Sequence, residues 1–372
     1  MRWIKKIFHW RFFLGILSFF AIISLLLSYL GPYSEPKINS FVPFFALGYN
    51  FIVLGNTLLL LFWIFLQSKW KWFFIIALLL GGTLHFRSFS FGSNATNNNK
   101  RTELHVMSYN VRLFDLYASD RKNNYLKKEK IFQFLRDKQP EVVCFQEFYK
   151  QDKPTKFVTK DSIIQILHSV DSYERYSHRI TGRQNFGVAI FSKLPIIEKG
   201  NVTFDNQEKS FNYCIYTDIV KEQDTFRIYN IHLQSIRFNE DEYELIDNQI
   251  NDSEEKQTRL LKLMQKVRKA YPLRAKQAIQ VNKHIQNSPY PVIVCGDFND
   301  TPMSYVYDQF SQQLTDAFRN TSFGIGATYA GKLPIGRIDY IFHSSELDSR
   351  DFNIQEEELS DHYAIDCTVF KK

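Results

Sequence analysis

Along this 372-residue chain the spacing of hydrophobic positions changes character near residue 100. Before it lie three uncharged or nearly uncharged apolar runs, at 12–30, 42–66 and 72–86. A bilayer core of ~30 Å takes ~20 helical residues, so the first two runs are long enough to cross and the third is marginal. Trp3, Trp10, Trp63, Trp70 and Trp72 flank the runs, where interfacial aromatic residues sit. About three transmembrane helices are therefore predicted in a membrane anchor over 1–88. No small-residue cleavage site follows the first run, which argues against a removed signal peptide. Residues 89–101 are small, polar and Asn-rich and read as a flexible linker. From 102 to 372 short apolar stretches recur with polar ends, as strands do. Helical spacing shows at 127–136 and at 254–287, with a break expected at Pro272.

The charge divides at the same place. Residues 1–100 hold nine of the 46 Lys and Arg but one of the 39 acidic residues, Glu35, which leaves 37 basic against 38 acidic residues for the rest. The net charge of +7 thus belongs to the N-terminal part, and the domain beyond it lacks the basic surplus usual in nonspecific nucleic-acid binders. Arg2, Lys5, Lys6 and Arg11 precede the first run, Lys69 and Lys71 lie between the second and third, and Lys37 stands alone between the first two. By the positive-inside rule the N-terminus and the second loop are cytoplasmic. Three crossings then predict a multi-pass inner (cell) membrane protein with its larger domain on the extracytoplasmic side. Cys144, Cys214, Cys295 and Cys367 are far apart, each in a strand-like stretch, so buried free thiols are expected rather than a zinc site.

The chemistry concentrates where strands end. The stretch 292–296 exits into Asp297-Phe298-Asn299, 104–109 into Asn110, 142–146 into Glu147, and 226–231 into His232, while Ser360-Asp361-His362 answers them near the C-terminus. Polar residues at strand ends are where α/β folds build sites. Glu147, Asp297, Asp361, Asn110 and Asn299 offer hard oxygen donors of the kind that hold Mg2+ or Mn2+ beside a phosphate. His232 and His362 add imidazoles able to donate to phosphate oxygens or exchange protons. Asp339, in the apolar stretch 337–341, needs a partner if buried, and His362 is the simplest one. His105, His168, His178, His284 and His343 lack such a context and are assigned to structure or surface. The stripe Leu260, Leu261, Leu263, Met264 and Val267 is expected to pack on a sheet. Opposite it, Lys262, Lys266, Arg268, Lys269, Arg274 and Lys276 form a solvated basic face, with anionic lipid as its natural partner if it meets a bilayer.

Taken in order, Ser108-Tyr109-Asn110, Gln146-Glu147, 185–189 (Asn-Phe-Gly-Val-Ala), 230–233 (Asn-Ile-His-Leu), 296–299 (Gly-Asp-Phe-Asn), 337–340 (Arg-Ile-Asp-Tyr) and Ser360-Asp361-His362 resemble the endonuclease/exonuclease/phosphatase superfamily with its deoxyribonuclease-I-like fold. The resemblance spans about 103–369. It implies a four-layer α/β sandwich, two central mixed β-sheets flanked by helices. It implies Glu147 as main metal ligand assisted by Asn110 and Asp361, Asp297 positioning or deprotonating the attacking water, and Asn299 and His232 holding the scissile phosphate. His362, paired with Asp339, would stabilise the transition state or protonate the leaving oxygen. The expected protein is a membrane-anchored, Mg2+- or Mn2+-dependent hydrolase of a phosphate ester, read first as endonuclease-type. A lipid-headgroup phosphodiesterase or phosphatase is the alternative, and an inactive scaffold the third. Its expected partners are the phosphate-ester substrate, nucleic acid or phospholipid headgroup, and the bilayer, with no obligate protein partner evident.

Overall fold

In the computed structural model, which describes residues 2–93, 102–117, 121–180, 183–204, 212–236, 253–331 and 336–372, strands that are for the most part buried on both faces form two six-stranded mixed sheets. The larger domain opens with β2 (Glu103–Asn110), α6 (Arg121–Lys138), β3 (Val142–Gln151), α7 (Lys160–Leu167), β4 (Asp171–Ile180) and β5 (Gln184–Ser192). It continues through β6 (Ile196–Val202), β7 (Tyr213–Lys221), β8 (Asp224–His232), α8 (Ser253–Ile285), β9 (Val292–Asp297) and α9 (Tyr305–Ser311). It closes with β10 (Thr315–Asp316), α10 (Ala317–Thr321), β11 (Phe323–Gly324), β12 (Asp339–His343), β13 (Leu347–Gln355) and β14 (Ala364–Lys371). The first sheet runs β13-β14-β2-β3-β5-β4 and the second β10-β12-β9-β8-β7-β6. Each has one parallel pair at its centre, β2 with β3 and β8 with β9, among antiparallel neighbours.

The period of two explains the layering. In β2, Leu104 and Val106 face the second sheet while Met107 and Tyr109 face α6 and α7. In β9, Ile293 and Cys295 face the first sheet while Val292 and Val294 face α8 and α9. Helices thus cover the outer face of each sheet, a four-layer order. All four cysteines are buried and free, three of them between the sheets. The end of each parallel pair places its tips together: Asn110 lies level with Gln146, and His232 level with Asp297.

Before this domain lie α1 (Arg2–Tyr29), α2 (Val42–Leu47), α3 (Tyr49–Phe65), α4 (Trp70–Gly81), α5 (His85–Ser88) and the short strand β1 (Ser90–Phe91). The expectation of about three spanning helices is not met by length. One segment, Phe12–Tyr33 with mean hydropathy 2.4, is long and apolar enough to cross. The second run breaks at Gly48, between α2 and α3, leaving α3 with 17 residues, and the third ends at Gly82 (φ 43°), leaving α4 with 12. At 1.5 Å per residue α4 extends only ~18 Å. A multi-pass topology built on three crossings, with its extracytoplasmic domain, therefore finds no support in helix length. Residues 90–91, read as the start of a linker, pair instead with β11, and 94–101 lie outside the described residues.

The bundle is seated on the larger domain. Leu25, Tyr29, Ala46, Tyr49, Ala77 and Leu84 pack around Met303. Gly31 approaches the Met303 carbonyl so closely that a Cβ would overlap it, which only glycine avoids. Arg87 pairs with Asp308 at 2.7 Å, and its carbonyl accepts from Arg337 at 3.1 Å. The contacted loop, 299–304, follows directly on Asp297.

Two details of α8 depart from the sequence reading. The helix passes through Pro272 without ending. Its apolar stripe does not pack on a sheet either: Leu260, Leu261 and Met264 remain 46%, 53% and 39% exposed, and it is Ala278, Val281 and Ile285, further along the helix, that join the core against the second sheet. Arg274 leaves the basic face altogether, being buried and paired with Asp300 at 3.1 Å.

Candidate active site

Asp297 is the centre about which the other groups are arranged. It ends β9, with His232 level with it on one side and Asp339 on the other. The residue before it must be glycine, because a Cβ at Gly296 would overlap the Ile231 carbonyl of the neighbouring strand, a close backbone approach of the kind that marks glycine within strands. The buried Asp297 carboxylate accepts from Asn110 Nδ2 at 2.9 Å, from Asn299 N at 2.8 Å and from Asn299 Nδ2 at 3.2 Å. Burial raises its pKa, and the negative charge of Asp339 adds to that, while His362 and His232 oppose it.

His362 stands beside it. Its Nδ1 lies 3.0 Å from Asp339 Oδ2, which directs Nε2 to within 3.7 Å of Asp297 Oδ2. Burial alone would lower the His362 pKa, but the carboxylates of Asp339 and Asp297 hold it well above the ordinary value, favouring the charged ring. Thr328 Oγ1 accepts from the backbone N–H of Asp339 at 3.1 Å, and the Tyr329 ring packs edge-on to His362 with centroids 5.2 Å apart. His232 Nε2 lies 3.7 Å from Asp297 Oδ2 and 3.8 Å from Glu147 Oε1.

The first sheet contributes Glu147 through a register shift in the pairing of β3 with β5, between Phe145 and Phe148. Glu147 sits there in the left-handed region, at φ 49°. A bulge of this kind re-aims a side chain, and here it turns the carboxylate toward Asp297 and Asp361 rather than along the sheet. That carboxylate is 34% exposed, yet burial and then the charge of Asp361 push its pKa up to about 7. After β2 the chain makes a left-handed turn, with Arg112, Leu113, Phe114 and Asp115 all at φ between 42° and 56°. Such a turn costs roughly 1–2 kcal/mol per residue. It is held by Phe114, fully buried against Phe132 and Phe148. It brings Arg112 Nε to 3.5 Å from Asp361 Oδ2. Ser360 Oγ donates to the Asn110 carbonyl at 2.8 Å, tying the Asp361 loop to β2.

All eight residues singled out in the sequence thus gather in one place: Asn110, Glu147, His232, Asp297, Asn299, Asp339, Asp361 and His362. The hydrogen bonds refine two of them. Asn299 spends Nδ2 on Leu233 O and Asp297, and Asn110 spends Nδ2 on Asp297 while its Oδ1 accepts from Arg112 N at 3.0 Å. Both amides therefore position Asp297 first. Arg112, Thr328 and Tyr329 were not singled out, since nothing local marks a residue whose partner lies far along the chain. A buried clamp also joins the sheets: Gln146 donates to Asn230 at 2.8 Å, and Asn230 donates to the carbonyls of Phe145 and Ala189.

For a cation two donor sets compete. Ligand atoms of Asp297, Asp339 and His362 lie within 4.8 Å of one another, but both Asp339 oxygens are within hydrogen-bond distance of His362 Nδ1. Glu147 and Asp361, with the remaining lone pair of Asn110 Oδ1, offer hard oxygens whose mutual repulsion a cation would relieve, and they fit a divalent ion better.

Known proteins share this fold. Among curated proteins no significant match is found. Residues 8–89 match a domain of unknown function (DUF8431). The fold recurs in the human Nocturnin catalytic domain with bound sulfate anion, at 19% identity and TM-score 0.51, covering 74% of this chain and 100% of that one. It recurs in endonuclease/exonuclease/phosphatase proteins of Bacteroides thetaiotaomicron (17%, TM-score 0.51, 74% and 100% covered) and Bacteroides vulgatus (15%, TM-score 0.51, 73% and 100% covered). The profile of one family matches residues 107–254 and 269–362, more than half of the molecule and all eight gathered residues: the chain belongs to the Endonuclease/Exonuclease/phosphatase family.

Proposed function

We propose that the protein is a divalent-cation-dependent hydrolase of a phosphate ester, acting by in-line attack of water and held at a bilayer by its N-terminal helices. The observation that carries this reading is the buried Asp297 carboxylate fixed by Asn110 and Asn299 between His232 and the Asp339–His362 pair. Asp297, its basicity raised by burial, accepts a proton from the attacking water. His362, kept charged and aimed by Asp339, donates Nε2–H to a phosphate oxygen as negative charge grows there. His232, on the other side of Asp297, donates to a second phosphate oxygen. Asn110 and Asn299 keep the Asp297 carboxylate in place. Glu147 and Asp361 hold Mg2+ or Mn2+, which when bound supplies positive charge to the phosphate and leaving oxygen.

The bundle supports the bilayer part of the proposal. Phe12, Phe13, Leu17, Leu54, Leu58, Phe73 and Leu79 are more than half exposed, whereas Ser18, Ser28 and Asn56 are buried. Trp63 Nε1 donates to Ser18 at 2.8 Å, and Asn56 Nδ2 to the Ala21 carbonyl at 3.0 Å. Apolar side chains outward and hydrogen-bonded polar ones inward is the order a lipid solvent favours. For the substrate, the nuclease reading gains little. Arg112 is the single Lys or Arg among the described residues lining the catalytic cavity, short of the basic track a polynucleotide backbone needs. The test is turnover of a bis-aryl phosphodiester by the full chain with Mg2+ or Mn2+ and after EDTA. Loss on chelation is expected, and undiminished activity in EDTA overturns the proposal.

A further inference from the structure

The catalytic cavity does not end at its polar residues. It encloses about 610 Å3 and runs from Asp297, Glu147 and His362 between two apolar walls. Phe44, Leu47 and Phe51 of α2 and α3 form one wall, and Leu260, Leu263 and Met264 of α8 the other. The walls meet at one end, where Phe44 packs against Tyr271 with ring centroids 6.5 Å apart. Packing among the described residues does not account for them. Phe51, Leu260 and Met264 are 58%, 46% and 39% exposed. Each such side chain forgoes part of the stabilisation that its full burial would contribute.

We infer that this slot takes the hydrocarbon chain of an amphiphilic phosphate ester, with the phosphate at Asp297 and the chain between α3 and α8. The inference rests on the phosphoester-hydrolase reading above and narrows its substrate class. Continuity with the bilayer-facing surface argues for a lipid chain. Phe51, Leu54, Leu58 and Leu61 recur at spacings of three and four, so they share one stripe of α3, and all four are more than half exposed. The lower end of that stripe lines the slot and the rest faces outward beside α1 and α4. A chain leaving the bilayer along α3 meets apolar side chains all the way to the phosphate site. The N-terminal helices are then half of the substrate site as well as an anchor, which gives a reason for their close seating on the 299–304 loop.

Burying each methylene contributes ~0.8 kcal/mol, roughly a fourfold gain in affinity until the slot is full. The test uses the full chain in nanodiscs with Mg2+, titrated by calorimetry with alkylphosphonates from ethyl to dodecyl and corrected with empty nanodiscs. The dissociation constant should fall severalfold per added methylene and then level off. Leu263→Gln and Phe51→Gln, on opposite walls, should each flatten that dependence while melting like wild type. A flat series in wild type, or an unchanged series in both variants, overturns the inference. A parallel arm measures hydrolysis of the ethyl and dodecyl esters of 4-nitrophenyl phosphate beside nicking of plasmid DNA. Equal hydrolysis of the two esters, or nicking as fast as dodecyl-ester hydrolysis, removes the slot and leaves the hydrolase. Chain-length-dependent binding without hydrolysis of either ester removes the hydrolase instead.

Discussion

In the catalytic domain Val106, Ile293, Ile341 and Ile365 turn inward from both sheets, and the polar residues collect at the strand tips. In the N-terminal bundle the order is reversed, with Phe12, Leu54 and Leu79 outward and Ser18 and Asn56 inward. The first arrangement suits water and the second lipid. The two meet at Met303, a few residues past Asp297, so the bundle proposed to face lipid touches the loop that follows the proposed catalytic base. This difference assigns distinct costs to equivalent changes in the two regions.

The largest effect belongs to Asp297→Asn, which keeps shape and removes the base. Turnover should fall on the order of 10³-fold with an unchanged melting temperature, and activity within about tenfold of wild type would break the catalytic assignment. Next is Arg274→Ala, which leaves Asp300, within that same loop, as an uncompensated buried charge. Denaturant melts should show ~3–5 kcal/mol of destabilisation, and less than ~1 kcal/mol would mean that the pair is not buried in solution. Asp339→Asn acts through His362, whose folded pKa is raised. Its ion pair therefore stabilises fully below the unfolded value of ~6.5 and loses that contribution as pH rises through the folded one. Without Asp339 that loss comes earlier, and the alkaline limb of the rate profile should move to lower pH. An unmoved limb would show that His362 need not be charged. Smallest is Asn56→Leu inside the bundle, about 0.6–1.7 kcal/mol of stability in nanodiscs, a scale set by polar contacts between helices in lipid. A gain in stability there would contradict the inside-out reading.

Much of the site was legible because strand ends announce themselves: β2, β8 and β9 stop at Asn110, His232 and Asp297, whereas Glu147, read as a strand end too, lies inside β3, which runs on to Gln151. What stayed hidden depends on three-dimensional neighbours. Glu147 carries no glycine to mark its left-handed backbone, and the bulge exists only through pairing with β5. Arg112 meets Asp361 across almost the whole domain. α8 has helical spacing throughout, but spacing cannot say that one half of the helix faces a sheet and the other a cavity. The apolar runs before residue 93 likewise show hydrophobicity, while the breaks at Gly48 and Gly82 decide how far each helix extends.

The most direct measurement is hydrolysis in heavy-oxygen water by the full chain and by Asp297→Asn. The account predicts one heavy oxygen in each phosphate product released by wild type, and almost no product from the variant. Unlabelled product, or equal turnover by the variant, would contradict water attack directed by Asp297.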